Sequence, residues 1–317
     1  MKIGACVWPF KWRPPYEEAI TRIAKLGFKA IELIAWDRQT LDEYYTPQKI
    51  RELRARIADE GLVLSEFVST PRGMAHPDAK VRDAAVEHFK RLIEVGVALG
   101  TEIVNTVSPY PFDLPSPRIT SLPLVQELKM DIPAGLDWDR NWKDFVDVVR
   151  RCALACEDAG VRYALEPHPY RYMCNAASML RLIEHVGSPA LGMNLDPSHL
   201  FPCGEIPQVV VYQLGKRIFH CHFSDNDGVT NVHWRPGKGK IDWRELLVAL
   251  KAVGFDGVVS IELEDVPGVV SAGRAAANHL AGITGPGAEA GPAFDLENVL
   301  AKEYIQRLAV DVGFSVD

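Results

Sequence analysis

The segment Val161-Arg-Tyr-Ala-Leu-Glu-Pro-His-Pro-Tyr170 joins a short apolar run to two polar side chains. The run is too short for a helix and has the length of a buried strand. Side chains of a strand alternate between its two faces, so Glu166 and His168 point the same way if the extended backbone continues through Pro167. The segment therefore predicts a strand with a carboxylate and an imidazole at its C-terminal end.

Three further apolar runs downstream end in similar chemistry. They end at Asp196, His222 and Glu262, and His199 follows the first of them by three residues. The C-terminal ends of the strands in a parallel barrel meet at one mouth. We therefore expect these side chains and Glu166 to form a single site.

Short apolar runs alternate with longer amphipathic segments along the whole chain. This pattern predicts strands near residues 3–7, 30–34, 62–68, 102–107, 161–166, 191–196, 218–222 and 258–262. It predicts helices near residues 16–26, 47–60, 78–99, 138–159, 176–185, 206–214, 242–251 and 295–312. Eight strand–helix units close into a (β/α)8 TIM barrel, which we expect to form one domain over residues 1–317.

The competing architecture is a doubly wound open sheet. Such a sheet would need a Gly-rich phosphate loop after the first strand, and Trp8-Pro-Phe-Lys-Trp-Arg-Pro-Pro15 contains no glycine. Two stretches interrupt the alternation, a Pro-rich one over about residues 108–136 and a Gly/Ala/Pro-rich one over about residues 266–292. We expect both to be long loops after strands four and eight. Loops of this length are usually functional, and a tolerated surface insertion is the alternative.

Composition limits the kind of partner. The 317 residues include 35 Lys and Arg against 42 Asp and Glu, and no run of basic residues argues for nucleic acid. The six cysteines form no C-x-x-C pair, which is typical of reduced thiols in a cytoplasmic protein. The sequence shows no signal-peptide pattern, and no apolar segment approaches the roughly 20 residues of a membrane span. We expect a cytoplasmic protein that binds neither nucleic acid nor membranes.

The expected site is rich in oxygen ligands. The carboxylates of Glu166, Asp196 and Glu262, together with His222, suit Mn²⁺, Mg²⁺ or Co²⁺ better than a thiolate zinc site does. Three carboxylates keep the site negative even with a divalent ion, which favours a neutral hydroxylated substrate over a phosphate. Each residue alone could be a helix cap or a surface carboxylate. Their joint occurrence at the ends of four successive strands indicates a metal site.

The chain resembles a known family through motifs spread over nearly its whole length: Leu165-Glu166-Pro-His168, Asn194-Leu-Asp196-Pro-Ser-His199, His220-Cys-His222, Pro236-Gly-Lys-Gly239-Lys-Ile-Asp-Trp243, and Gly254-Phe-Asp-Gly257 followed by Glu262. It is similar to the xylose isomerase-like TIM barrels, which are grouped as sugar phosphate isomerases/epimerases. The resemblance implies one divalent metal, with Mn²⁺ the expected ion, bound by Glu166, Asp196, His222 and Glu262. It also implies that His199 contacts the substrate.

Members of this family isomerise, epimerise or dehydrate sugars, inososes and related hydroxy-ketones, and others expel an aglycone from 3-keto-glucosides, even one attached through carbon. One relative cuts abasic DNA with a larger metal set. The sugar reactions share one step, the removal of a proton from a carbon next to a carbonyl. Return of the proton gives an epimer or an isomer, and loss of a β substituent gives an alkene.

His168 is the residue that separates these outcomes. In the family's ketose 3-epimerases two metal-bound glutamates share the proton transfer, and an Asn-Arg-like motif follows the first of them. This chain has Pro-His-Pro-Tyr-Arg171 at that place. Its Glu-x-His pattern resembles the dehydratase and aglycone-eliminating branches, where the histidine is the base, although their assisting lysine corresponds to Pro202. The alternative is that His168 only orients Glu166 or binds a substrate hydroxyl.

We therefore expect a lyase that eliminates water or an aglycone from a keto-sugar or keto-polyol, with His168, Glu166 and Glu262 as catalytic residues. Isomerisation or epimerisation through the same enolate is the alternative, and a non-catalytic sugar-binding barrel is a more distant one. The expected partner is a small sugar-like molecule, with a homo-oligomer or a small partner subunit as further options.

Several other residues are expected near the substrate, with packing or capping as the alternative for Glu32 and Asn105, and core or lid packing as the alternative for Trp8. They are His199, Asn105, Arg235, Trp8 and Glu32. Lys238 lies in the same loop as Arg235. His220 faces the same way as His222 one layer deeper, so we expect it to support the ligands rather than to join them.

Overall fold

The structure is a computed structural model that describes residues 1–114, 132–264 and 291–316. Most of the two expected loops, about 108–136 and 266–292, lies outside these ranges. The loop after the fourth strand is described only at its two ends. A short 3₁₀ turn at Pro111–Asp113 is part of its first end.

Eight parallel strands follow one another in chain order and close into a barrel. The strands are β1 (Lys2–Cys6), β2 (Ala30–Ala35), β3 (Val63–Ser69), β4 (Ile103–Val107), β5 (Arg162–Glu166), β6 (Leu191–Leu195), β7 (Ile218–Phe223) and β8 (Val258–Ile261). The closing pair is β1 with β8, in which Ile3 is opposite Val259. An open sheet has no such pair, so the TIM barrel prediction is confirmed and the doubly wound alternative is wrong.

Helices of the described residues cover the outside of the barrel. They are α1 (Glu17–Lys25), α2 (Arg38–Glu43), α3 (Pro47–Asp59), α4 (Ala79–Leu99), α5 (Trp138–Ala159), α6 (Ala176–Val186), α7 (Pro197–Leu200), α8 (Pro207–Leu214), α9 (Trp243–Ala252) and α10 (Pro292–Asp311). Asp242 is the N-cap of α9 as predicted, because its side chain accepts a hydrogen bond from the Glu245 N–H. The long helices α4 and α5 end at Gly100 and Gly160, whose φ angles of 92° and 68° favour glycine.

Two short helices differ from the sequence prediction. Helix α2 has six residues and α7 has four, so neither is long enough to give a clear helical period. Because α7 begins at Pro197, strand β6 ends at Leu195, one residue earlier than predicted. Asp196 caps this helix, with its Oδ1 accepting the Ser198 N–H at 2.7 Å. The cap turns the chain directly at the barrel mouth.

The core surrounds the strands and holds large side chains with no solvent exposure, among them Phe67, Phe89 and Phe145. All six cysteines lie in the described residues and carry free thiols. No helix within the described ranges is long and apolar enough to cross a bilayer. The apolar packing fixes the rim of strand ends on which the candidate site is built.

Candidate metal centre and active site

Four predicted ligands meet at the C-terminal mouth of the barrel. Glu166 is the last residue of β5, Asp196 follows β6, His222 lies in β7 and Glu262 follows β8. One ligand atom from each lies within 4.8 Å of the others, and all four residues are buried. The tertiary structure thus brings together side chains that are up to 96 residues apart in the chain, from Glu166 to Glu262.

His222 lies between the carboxylates of this group. Its Nδ1 is 2.9 Å from Glu166 Oε1 and 3.3 Å from Glu262 Oε2, and its Nε2 is 3.0 Å from Glu32 Oε2. Burial opposes protonation of this imidazole, but the surrounding negative charge of Glu32, Glu166 and Glu262 outweighs burial and raises its pKa well above the ordinary value. The site therefore attracts positive charge, which a proton or a metal ion supplies.

In each of two carboxylates one oxygen accepts a hydrogen bond and the other faces only nearby histidine rings, without a hydrogen bond from the described residues. Asp196 Oδ1 accepts the Ser198 N–H and hydroxyl, and Glu262 Oε1 accepts the Trp8 indole N–H at 2.7 Å. Asp196 Oδ2 and Glu262 Oε2 are buried and accept no hydrogen bond from the described residues. Buried polar atoms are almost always satisfied, so these oxygens fit a divalent cation.

Burial and neighbouring charges shift the pKa values of two of the candidate ligands, Glu166 and Asp196. Burial alone would raise the pKa of Glu166, but His222 and His168 outweigh it and lower that pKa well below the ordinary value. Burial raises the pKa of Asp196 despite the nearby His199. An ion at this position would relieve the cost of burying several carboxylates together.

A second polar layer lies beneath the ligands, inside the barrel. Asn105 Nδ2 donates to Glu66 Oε1 at 2.7 Å, and His220 Nε2 is 3.5 Å from Glu32 Oε1. All of these side chains have no solvent exposure. Burial opposes ionisation of Glu32, but His222 and His220 outweigh it and lower its pKa.

Glu66 differs from Glu32 within this layer. Burial and the charge of Glu32 raise the pKa of Glu66 well above the ordinary value. The two carboxylates of the layer therefore shift in opposite directions, with the pKa of Glu32 lowered next to His222 and that of Glu66 raised. A carboxylate that accepts from a metal-binding imidazole fixes its orientation and strengthens it as a ligand.

The inner position of Glu32 and Asn105 changes the role expected from the sequence. Both were expected to contact substrate, but both are fully buried and neither lines the cavity at the mouth. They lie one layer too deep because each is set inside the hydrogen-bonded register of its strand, where side chains fill the barrel. His220 lies in this layer, as the sequence indicates.

A cavity of about 1260 Å³ opens above the ligands. Glu166 and Glu262 are part of its wall, together with His168, His199 and Trp8. Trp12 and Trp36 stack at 3.8 Å between ring centroids and form part of the same wall. The mouth therefore combines the carboxylates with an aromatic surface, which is typical of sites that bind sugar-like molecules.

Three histidines form an arc along the cavity wall. His168 Nε2 is 3.7 Å from Glu166 Oε2, and the His168 and His199 rings are 3.6 Å apart. The His199 and His233 rings are 4.7 Å apart, and His233 Nδ1 is 3.7 Å from Glu262 Oε2. Burial and His199 lower the pKa of His168 well below the ordinary value, so His168 is neutral near pH 7.

Arg235 is not where the sequence led us to expect it. Its Nε is 3.0 Å from Glu297 Oε2 on α10, and Lys238 Nζ is also 3.0 Å from that oxygen. Arg235 does not line the cavity. The ion pair holds the guanidinium against the last helix, and a substrate contact of Arg235 stays a prediction.

Sequence reasoning missed Glu66 and His233. Glu66 lies on β3, where a lone acid within an apolar run gives no sign of its partners. His233 follows a loop without periodicity, and an antiparallel bridge between Asp225 and Trp234 folds that loop back to the mouth. No local signal predicts this bridge.

The closed barrel and the oxygen-rich group at its mouth identify the chain as a (β/α)8 protein with a candidate metal centre. Residues 20–283 match the model of the xylose isomerase-like TIM barrel family. The chain belongs to that family.

Curated relatives include proteins with and without assigned activity. An uncharacterised protein of Methanocaldococcus jannaschii is 27% identical over 256 residues, covering 78% of this chain and 79% of the relative. D-psicose 3-epimerase of Ruminiclostridium cellulolyticum is 23% identical over 260 residues, covering 80% of each chain. Inosose isomerase of Bacillus subtilis is 29% identical over 195 residues, covering 59% of this chain and 62% of the relative. The chain is an enzyme, and a non-catalytic barrel is not supported.

Solved structures share the fold. D-psicose 3-epimerase of Clostridium cellulolyticum H10 superimposes with a TM-score of 0.74 at 21% identity, over 98% of this chain and 99% of the other. The 3-keto-D-glucoside 4-epimerase of E. coli gives 0.67 at 19% identity, over 89% and 98%. A probable 3-DHS dehydratase of Bacillus anthracis gives 0.65 at 18% identity, over 89% and 97%. At these identities the likeness shows the fold alone.

Proposed function

We propose that the chain is a sugar-modifying lyase. It removes a proton from a carbon next to the carbonyl of a keto-sugar or keto-polyol and then eliminates a β substituent, either water or an aglycone. Glu166, Asp196, His222 and Glu262 would hold one divalent ion. Their oxygen-rich set favours Mn²⁺, with Mg²⁺ or Co²⁺ as alternatives. When bound, such an ion stabilises the negative charge that develops on the substrate carbonyl oxygen.

The observation that carries the proposal is a base that is separate from the ligands. His168 lines the cavity, and its Nε2 is 3.7 Å from Glu166 Oε2. Its lowered pKa keeps the imidazole neutral, so it can accept a proton near pH 7. A separate base is most useful when one group takes the proton and another must assist a leaving group.

Different residues have different roles in the proposed elimination. His168 takes the proton, and the electron pair of the broken C–H bond forms the new C=C bond as the bond to the β oxygen breaks. The leaving oxygen keeps the electron pair of that bond and needs a proton. Trp8 holds Glu262 in place through its indole N–H. The stacked Trp12 and Trp36 exclude water from one side of the cavity.

Isomerisation or epimerisation is the second candidate. It is supported by the names of the relatives, D-psicose 3-epimerase and inosose isomerase. Glu166 and Glu262 both approach His222 Nδ1, and the two carboxylates could transfer a proton between two faces of a substrate. In this reaction nothing is lost from the substrate, which separates it from elimination by its products.

Product analysis in deuterated water tests the proposal. The purified enzyme is incubated with Mn²⁺ and a panel of ketoses, inososes and 3-keto-glucosides. An unsaturated ketone and a released alcohol or water support elimination. An epimer or isomer that carries deuterium, with no group released, contradicts elimination and supports the second candidate.

A further inference from the structure

Arg171 is held in the cavity wall between the loops that follow β4 and β5. Its Nη1 donates to the Ser108 carbonyl at 2.8 Å, and its guanidinium carbon lies 4.4 Å from the centre of the Tyr110 ring. Its backbone N–H donates to the His168 carbonyl at 3.3 Å, so Arg171 is one turn of the chain away from the proposed base. Both Arg171 and Tyr110 line the cavity. The guanidinium is therefore a fixed positive charge beside the candidate site.

The other edge of this guanidinium has no partner within the described ranges. Its Nε is buried and makes no hydrogen bond there, and Arg171 takes part in no ion pair with a described residue. Buried polar atoms are almost always satisfied, and a charge held away from water is normally paired. Burial lowers the pKa of Arg171, but a guanidinium keeps its charge at neutral pH. The edge at Nε therefore fits an anionic acceptor.

The two loops do not need a positive charge to stay together. The Ser108 N–H donates to the Glu166 carbonyl at 2.9 Å, and the Met173 N–H donates to the Ser108 hydroxyl oxygen at 2.9 Å. A neutral donor in place of Arg171 would satisfy the Ser108 carbonyl equally well. Joining the loops therefore explains one hydrogen bond of Arg171 but not its charge.

We propose that Arg171 binds a carboxylate of the substrate. The inference rests on the proposed function and narrows its substrate class to keto-sugars and keto-polyols that carry a carboxylate. Arginine binds a planar carboxylate through two parallel N–H donors, and the edge formed by Nε and Nη2 offers such a pair. The carboxylates of the metal centre alone favour a neutral substrate, and Arg171 supplies the opposite charge that an acidic group needs.

Two charged residues of the loops after β3 and β4 also line the cavity, Arg72 and Asp113. Asp113 accepts the Gly73 N–H at 3.3 Å, and burial raises the pKa of Asp113 despite the nearby Arg72, which disfavours its negative charge. Arg72 is exposed, in contrast to the partly buried Arg171. Arg72 is therefore a matched control, a second cation of the same cavity.

The test compares two sugars that differ at one carbon. Methyl glucuronide carries a carboxylate where methyl glucoside carries a hydroxymethyl group, and calorimetry measures the Kd of each for the Mn²⁺-loaded enzyme. We expect the glucuronide to bind roughly 10–100-fold more tightly. Arg171→Gln should remove this preference, because glutamine can still donate to Ser108 but has no charge. Arg171→Lys should keep part of the preference, and Arg72→Gln should keep all of it.

Several results would overturn the proposal. One is the absence of any preference for the glucuronide in the wild type, lack of binding included. A second is an equal loss of affinity for both sugars in Arg171→Gln, which shows a structural role. A third is loss of the preference in Arg72→Gln but not in Arg171→Gln. Tighter binding of glucose 6-phosphate than of the glucuronide would contradict a carboxylate as the bound group.

A second measurement separates this proposal from the proposed function. The 3-keto derivatives of both sugars are incubated with the Mn²⁺-loaded enzyme in deuterated water. If neither loses a group while the preference in Kd depends on Arg171, elimination is wrong and the carboxylate site stands. If both lose a group with equal kcat/KM in the wild type and in Arg171→Gln, elimination stands and the carboxylate site is wrong.

Discussion

The two halves of the barrel contribute different chemistry to the same mouth. Strands β5 to β8 bring Glu166, Asp196, His222 and Glu262, whose ligand atoms gather within 4.8 Å. Strands β2 to β4 bring Glu32, Glu66 and Asn105, which lie beneath that group and have no exposure. The second half carries the four candidate ligands, whereas the residues from the first half lie beneath them, together with His220 of β7.

His222 is the point of contact between the two halves. One ring nitrogen faces the ligands Glu166 and Glu262, and the other is 3.0 Å from Glu32 Oε2. A change in the second half should therefore remove the centre, while a change in the first half should only weaken it. This difference can be measured residue by residue.

The largest effect is expected from a ligand of the second half. Asp196→Asn removes one negative charge from the group and should lower metal affinity and slow turnover roughly 10³-fold or more, because stabilisation by the ion amounts to several kcal/mol. Metal content after dialysis and turnover with added Mn²⁺ are the measurements. Full turnover in metal-free wild-type protein would contradict a metal centre altogether.

The next largest effect is expected from a change of His168, the proposed base. His168→Ala should slow proton exchange roughly 10²–10⁴-fold while the protein keeps its metal, because the imidazole acts on the substrate rather than on the ion. Exchange is followed in deuterated water, and metal content is measured on the same sample. An unchanged exchange rate would reduce His168 to an orienting role.

A smaller effect should separate the two carboxylates of the first half. Glu32→Gln should weaken metal binding roughly 10–100-fold, because it removes the charge that orients and strengthens His222. Glu66→Gln is the matched control, since the pKa of Glu66 is raised, which disfavours its charge, and glutamine has nearly the same shape. Equal metal affinities of the two variants would show that the inner layer does not act through charge.

The smallest effect concerns stability and not chemistry. Burial lowers the pKa of His88, on α4, to about 4, and its Nε2 lies 2.9 Å from Ser69 Oγ. The unfolded chain binds a proton at His88 near the ordinary pKa of about 6.5, and the folded chain does not. The stability from this residue is therefore full above about pH 6.5 and is lost as the pH falls towards 4.

We expect His88→Gln to reduce the fall in unfolding free energy between these pH values and to leave turnover unchanged. Urea unfolding at several pH values measures the first, and product formation measures the second. A loss of turnover in His88→Gln would contradict a purely structural role for the buried histidine of the first half.

Local patterns in the sequence were enough to predict the barrel architecture. Apolar runs bounded by glycine indicated all eight strands, and the period of the amphipathic segments indicated the long helices α4 and α5 to within about one residue. The polar residue at the end of each late strand indicated the ligand group as well, because parallel strands of a barrel must end at one rim. Assignment of those residues as ligands stays a prediction.

Only the tertiary structure decided which other side chains face that rim. Whether Glu32 and Asn105 line the cavity or lie beneath it depends on the tilt and register of neighbouring strands, and Arg235 forms an ion pair with Glu297 of α10. His233 is brought to the mouth by a bridge that joins residues of one irregular loop. Periodicity reports which face of its own element a residue occupies, whereas these positions depend on contacts with distant parts of the chain, which no local pattern records.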